Sequence, residues 1–166
     1  MYRFTFAVDA IGEDSPKALE MARQMMLESL EALVRIDQIY LKYDPRVPLL
    51  YESGVRYDRT TPPPGSSCGD DDWQDLVICL RRRYGDCEDL ACWRVAELRE
   101  RFHVKAVPHL WLRLSEGRMG RKNHEYHILV EWPGNLRAYP STVFDKNGKM
   151  LEDPSQMLGM NAPKGW

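Results

Sequence analysis

The sequence predicts an α+β protein on three observations. Apolar residues recur at steps of three or four from Leu19 to Tyr40, the spacing returns from Cys87 to Phe102, and beyond His103 it gives way to alternation. Helices followed by an antiparallel sheet are the order of an α+β domain. At 166 residues the chain fits one domain with a substantial core. Its 43% hydrophobic and 29% charged residues exclude disorder throughout. Residues 1–166 are read as a single domain: an N-terminal strand and long helix (about 3–41), an irregular crossing segment (about 44–71) and a core (about 72–160).

Arg3 to Asp9 alternates Phe4, Phe6 and Val8 against Arg3, Thr5 and Ala7, as in a strand with one buried face. Gly12-Glu13-Asp14-Ser15-Pro16 then stops the strand, supplies a cap and places proline at a first helical position. The helix runs from about Pro16 to Leu41 on the stripe Leu19, Ala22, Met26, Leu30, Leu33, Ile36 and Tyr40. At about 1.5 Å per residue it is roughly 38 Å long. Met21, Met25 and Met26 read as core or interface filler.

From Asp44 to Asp71 the periodicity is lost, and Pro45, Pro48 and Pro62-Pro63-Pro64-Gly65 mark an irregular crossing segment. Tyr51 and Tyr57 are expected to pack it onto the body. A short helix follows over Trp73 to Arg82, with Asp72 as cap and Asp75 in the third position. Tyr84-Gly85 breaks it. The next helix starts at Cys87 behind the cap Asp86 and reaches Phe102, with Cys87, Ala91, Val95, Leu98 and Phe102 on one stripe. Ala106–Leu114, His124–Trp132, Leu136–Val143 and Lys149–Glu152 read as strands, separated by turns at Glu116-Gly117, Pro133-Gly134-Asn135 and Lys146-Asn147-Gly148.

The formal charge of -2 gives no general attraction to nucleic acid or acidic lipid, and Arg81-Arg82-Arg83 reads as a solvated helix end. No apolar run approaches the roughly 20 residues that cross a bilayer. Met1 to Val8 is too short and too soon interrupted by Asp9 for an export signal, so the cytoplasm is the expected compartment. Cys68, Cys79, Cys87 and Cys92 form no CxxC pair, which leaves a zinc knuckle without support. His124 and His127 could ligate zinc with Glu125 or Glu131, but residues three apart on a strand point to opposite faces.

Cys79 and Cys92 read as core residues, whereas Cys87 occupies the first helical position. Unpaired N–H groups and the positive helix end favour a thiolate there. A thiol nucleophile also needs a base and later an acid, the role of histidine. His103 sits at a helix exit, His109 beside Pro108, and His124 and His127 at a strand start. Spacing does not choose firmly among them. The third member, which orients the histidine, falls to Asp145, in the turn Asp145-Lys146-Asn147-Gly148, or to Asp153, held before Pro154. Trp73, Trp93, Trp111, Trp132 and Trp166 are mostly core or interface anchors, with Trp73 and Trp132 also placed as cleft walls.

Gly85-Asp86-Cys87-Glu88-Asp89-Leu90-Ala91 resembles the catalytic-helix motif of the transglutaminase-like cysteine-enzyme superfamily. In the same chain order, His127-Ile128-Leu129-Val130-Glu131 is similar to its histidine strand and Glu152-Asp153-Pro154-Ser155 to its aspartate strand. The resemblance covers about residues 70 to 160. With Trp73-Gln74-Asp75 and Asp153-Pro154-Ser155-x-x-Leu158-Gly159-Met160, it extends to small members of bacteriophages and prophages.

The resemblance implies a papain-like core, its catalytic helix packed on an antiparallel sheet, and the triad Cys87, His127 and Asp153. It implies no cofactor and no metal. The activity it implies is thiol-dependent hydrolysis of a peptide or amide bond in a peptide or protein substrate. Protein crosslinking, or a non-catalytic assembly module of a phage-like particle, is the alternative. Phage structural proteins or a second copy of the chain are the implied partners, with no nucleic acid and no membrane. Oxyanion donors are sought at the Cys87 N–H and at Trp73, Gln74 or Tyr84.

Overall fold

The structure, a computed structural model, describes residues 16–58, 73–116, 122–133, 142–144 and 150–158. The expected strand over Arg3–Asp9, the proline run with Cys68, the cap Asp72, Asp145, Trp166 and most of Leu136–Val143 lie outside them.

Helix α1 spans Pro16–Tyr43, with no glycine or proline beyond its first residue to interrupt it. Its expected stripe is corrected in part. Leu30, Leu33, Val34 and Leu41 are buried, but Leu19, Ile36 and Tyr40 are 36–39% exposed. Two apolar stripes run along this helix, and the buried one carries the acid Asp37. Its carboxylate accepts the Leu76 N–H at 2.9 Å, which fixes the rotation of α1 toward the body.

The crossing segment forms a 3₁₀ turn over Leu50–Glu52 and a short strand β1, Arg56–Tyr57. Tyr51 and Tyr57 pack against the core, as expected. Helix α2 covers Leu76–Arg82 and is capped by Asp75, whose carboxylate accepts Val77 and Ile78 N–H. That corrects the expected start at Trp73: Asp75 is itself the cap. Arg83 ends α2 in the left-handed region at φ 66°, and β2, Tyr84–Gly85, pairs in parallel with β1.

Helix α3 covers Cys87–Phe102 behind Asp86, as the sequence reads. It is buried on every side from Glu88 to Leu98, because α1 packs on one face and the sheet on another. The single stripe is therefore too narrow a description, and at its end Phe102 is 47% exposed. His103, left-handed at φ 55°, closes the helix.

The sheet is antiparallel in the order β3-β4-β6-β5. Its strands are β3 (Val107–Glu116), β4 (Lys122–Trp132), β5 (Thr142–Phe144) and β6 (Met150–Glu152). The architecture is thus mixed α+β. Leu110, Ile128, Val130 and Trp132 turn one sheet face into the core with Leu90, Trp93 and Val95 of α3. A short helix α4, Pro154–Leu158, follows β6. Among the described residues no helix is long and apolar enough to cross a membrane.

Candidate active site

The start of α3 is built from backbone and carboxylates. Gly85 is tightly enclosed, since a Cβ there would lie 3.1 Å from Cys79 Sγ and 3.1 Å from Leu90 Cδ2. Asp89, in the first turn, accepts the Asp86 N–H at 3.2 Å and the Gln74 N–H at 2.6 Å. It thereby ties the segment before α2 to the cysteine-bearing end of α3. Burial, then the Asp86 carboxylate, pushes Asp89 well above the usual carboxylate range.

The Cys87 thiol donates to Glu88 Oε2 at 2.9 Å, and the backbone N–H of Ile128 donates to the sulfur. Burial first, then the Glu88 carboxylate, pushes the thiol well above the usual cysteine range, with the Ile128 N–H acting against them. This corrects the expectation of a thiolate at rest. The helix terminus is present, but a desolvated sulfur beside a carboxylate keeps its proton.

The pairing of β6 with β4 reaches Val130↔Glu152 and stops. The Ile128 N–H that reaches Cys87 Sγ lies on β4 beyond the end of that pairing, one residue along the strand from His127. His127 Nε2 lies 3.1 Å from Asp153 Oδ2, and both side chains are buried. Ser155 holds the other oxygen, its N–H at 3.0 Å and its Oγ–H at 2.6 Å from Asp153 Oδ1. Burial opposes ionisation of Asp153, but the hydrogen bond and charge of His127 and the bonds from Ser155 hold it below the usual carboxylate range.

A carboxylate at Nε2 favours the tautomer that carries its proton there, which leaves Nδ1 as the acceptor nitrogen. The histidine choice left open by spacing also gains a physical basis. His109 pairs with Glu131 across β3 and β4 at 3.0 Å, and His103 is exposed at the far end of α3. The side chain of His124 lies outside the described residues.

The cleft candidates divide. Gln74 is 2% exposed, and both its side-chain Oε1 and Nε2 are buried without a hydrogen-bond partner among the described residues. Its backbone bond to Asp89 sets it beside the start of α3. Trp73 and Tyr84 are half-buried in the segments leading to that start. Trp132 is 2% exposed in the core and sits about 13 Å along β4 from Ile128.

Sequence reasoning gave no separate role to Glu88, Arg94, Glu97, Glu152 or Ser155. Ser155 had a signal in its place after Asp153-Pro154. The charges of α3 had none, because charges on a helix ordinarily face water. Among the described residues no group of three or more His, Cys, Asp or Glu side chains is arranged to hold a metal ion. Compared with protein-family models, curated proteins and solved structures, the chain matches none.

Proposed function

We propose that the chain is a thiol-dependent hydrolase of peptide or amide bonds, acting through Cys87, His127 and Asp153 on a transglutaminase-like, papain-like core. The observation that carries the reading is the His127–Asp153 contact of 3.1 Å on the strand whose next residue, Ile128, donates its N–H to Cys87 Sγ. The three motifs lie far apart in sequence, and acyl transfer requires a thiol, an imidazole and a carboxylate within reach of one another.

In this reaction the sulfur forms a bond to the substrate carbonyl carbon as its proton passes to His127 Nδ1. The Cys87 N–H, with the unspent amide of Gln74 as second donor, stabilises the oxyanion. Collapse breaks the C–N bond, and His127 gives the proton to the departing amine. Water then adds to the thioester, giving up a proton to His127, and its breakdown returns the acid product and the Cys87 thiol. An amine in place of water makes a crosslink instead.

A second reading, a binding or assembly module without turnover, is favoured by the buried, protonated thiol beside Glu88. One experiment separates them. The protein is incubated with peptide and amide libraries, and intact mass detects an acyl adduct on Cys87 and the released product. The hydrolase reading expects an adduct in the wild type that is lost in Cys87→Ser and His127→Ala. No adduct and no product from any library, with the fold intact, would refute turnover and leave the binding module.

A further inference from the structure

Arg94 lies seven residues into α3 from Cys87, two turns along the same face and about 10 Å down the axis. It is 2% exposed, and its partners Glu97 and Glu152 are 1% and 0% exposed. Arg94 Nε donates to Glu152 Oε1 at 2.8 Å, and the guanidinium also donates to Glu97 Oε1. The Tyr51 hydroxyl donates to Glu152 Oε1, and Glu97 Oε2 accepts the Leu50 N–H at 2.6 Å. The guanidinium also stands 5.0 Å from the centroid of the Tyr51 ring.

One cation thus ties three pieces of chain: the cysteine helix, the aspartate strand and the crossing segment. A buried ion pair of this kind is weak evidence for stability, since apolar residues of similar volume often stabilise as well. What a planar guanidinium adds is a fixed geometry between two carboxylates.

That geometry bears on the triad. Glu152 is the last residue of β6 paired with β4, opposite Val130. Asp153 stands one residue beyond that pairing, so the ladder no longer sets its place directly. Its position relative to His127 follows from what holds Glu152 on one side and from the Pro154-Ser155 turn on the other. A shift of about 1 Å in a catalytic arrangement can cost a hundred-fold in rate.

We infer that Arg94 and Glu152 are positioning residues, which fix the distance between the cysteine helix and the aspartate strand and thereby the contact of Asp153 with His127. The inference rests on the proposed triad. Its test reads the triad without needing a substrate: the ring N–H signal of His127 by NMR, and the rate of Cys87 alkylation by iodoacetamide across pH.

In the triple variant Arg94→Met, Glu97→Leu, Glu152→Leu, no charge is left buried unpaired. It is expected to unfold cooperatively while losing the hydrogen-bonded His127 Nε2–H signal, with an alkylation rate about ten-fold below the wild type, as in Asp153→Asn. A triple variant that folds and keeps both readouts would overturn the inference, because the network would then be packing alone. Should the triple variant not fold, Arg94→Lys keeps the charge without the fork: a displaced His127 signal supports the inference, and an unchanged one overturns it. Failure of the underlying triad shows differently, as an Asp153→Asn variant whose His127 signal and alkylation match the wild type.

Discussion

Glu88→Gln is expected to make Cys87 more reactive. The carboxylate accepts the thiol proton at 2.9 Å, and two unit charges at that separation repel by about 6 kcal/mol at an effective dielectric of about 20. Each 1.36 kcal/mol is ten-fold in a protonation equilibrium, so the electrostatic penalty on the thiolate has an upper limit of about four orders of magnitude. Burial, the larger cause of the raised thiol, survives in the variant, because glutamine has nearly the volume of glutamate. The expected gain in alkylation rate at pH 8 is therefore about ten- to a hundred-fold, with the pH profile moved to lower pH. The assay follows iodoacetamide modification by intact mass, with Cys87→Ser as the blank for the remaining cysteines. A folded Glu88→Gln protein that alkylates within about two-fold of the wild type would refute the claim that this carboxylate holds the proton on the thiol.

Gly85→Ala is expected to destabilise by about 1–3 kcal/mol in urea unfolding, because the new Cβ meets Cys79 Sγ, Leu90 Cδ2 and Asp89 Cβ at 3.1–3.2 Å; an unchanged midpoint and slope would show that the junction has slack. Ser155→Ala removes a charge-assisted hydrogen bond to Asp153 and is expected to cost about 1–2 kcal/mol at pH 7. Asp153 lies below its ordinary value in the fold, so its contribution is complete above the unfolded-state value near 3.9 and is lost as pH falls through the folded one. The gap between wild type and Ser155→Ala should accordingly narrow in acid, and a gap that is constant from pH 7 to pH 3 would contradict the ionic origin of the effect.

The boundaries of α3 were legible because local signals agree there: a glycine, an aspartate cap and an uninterrupted run to Phe102. Where two local signals competed, the sequence misled. Asp72 reads as the cap of α2 with Asp75 in its third position, whereas Asp75 is itself the cap, and the Leu76 N–H beside it is taken by Asp37 of α1. The rotation of α1 was illegible for the same reason, since its buried face includes an acid and its exposed face includes Ile36 and Ile39. Cys87, His127 and Asp153 are singled out in the sequence, the last two by the motif resemblance, and the structure sets His127 on Asp153. The protonation of Cys87 was not, because it depends on burial and on the rotamer of Glu88, neither of which leaves a periodic trace. The ionic contacts of Arg94 were hidden in a helix whose charges look like a solvated surface until α1 and the sheet are packed on either side.

The pairing of β1 with β2 is only two residues long and joins Tyr57 to Gly85 immediately ahead of the Asp86 cap. Backbone contacts so few open locally at a far smaller free-energy cost than a helix buried on all sides. The cysteine helix is therefore fastened unevenly, by an ionic knot two turns along and by a thin backbone seam at its mouth. In the proposed hydrolase, a peptide laid across that mouth would meet the two-residue seam beside the sulfur, with the ionic contacts of Glu152 behind it.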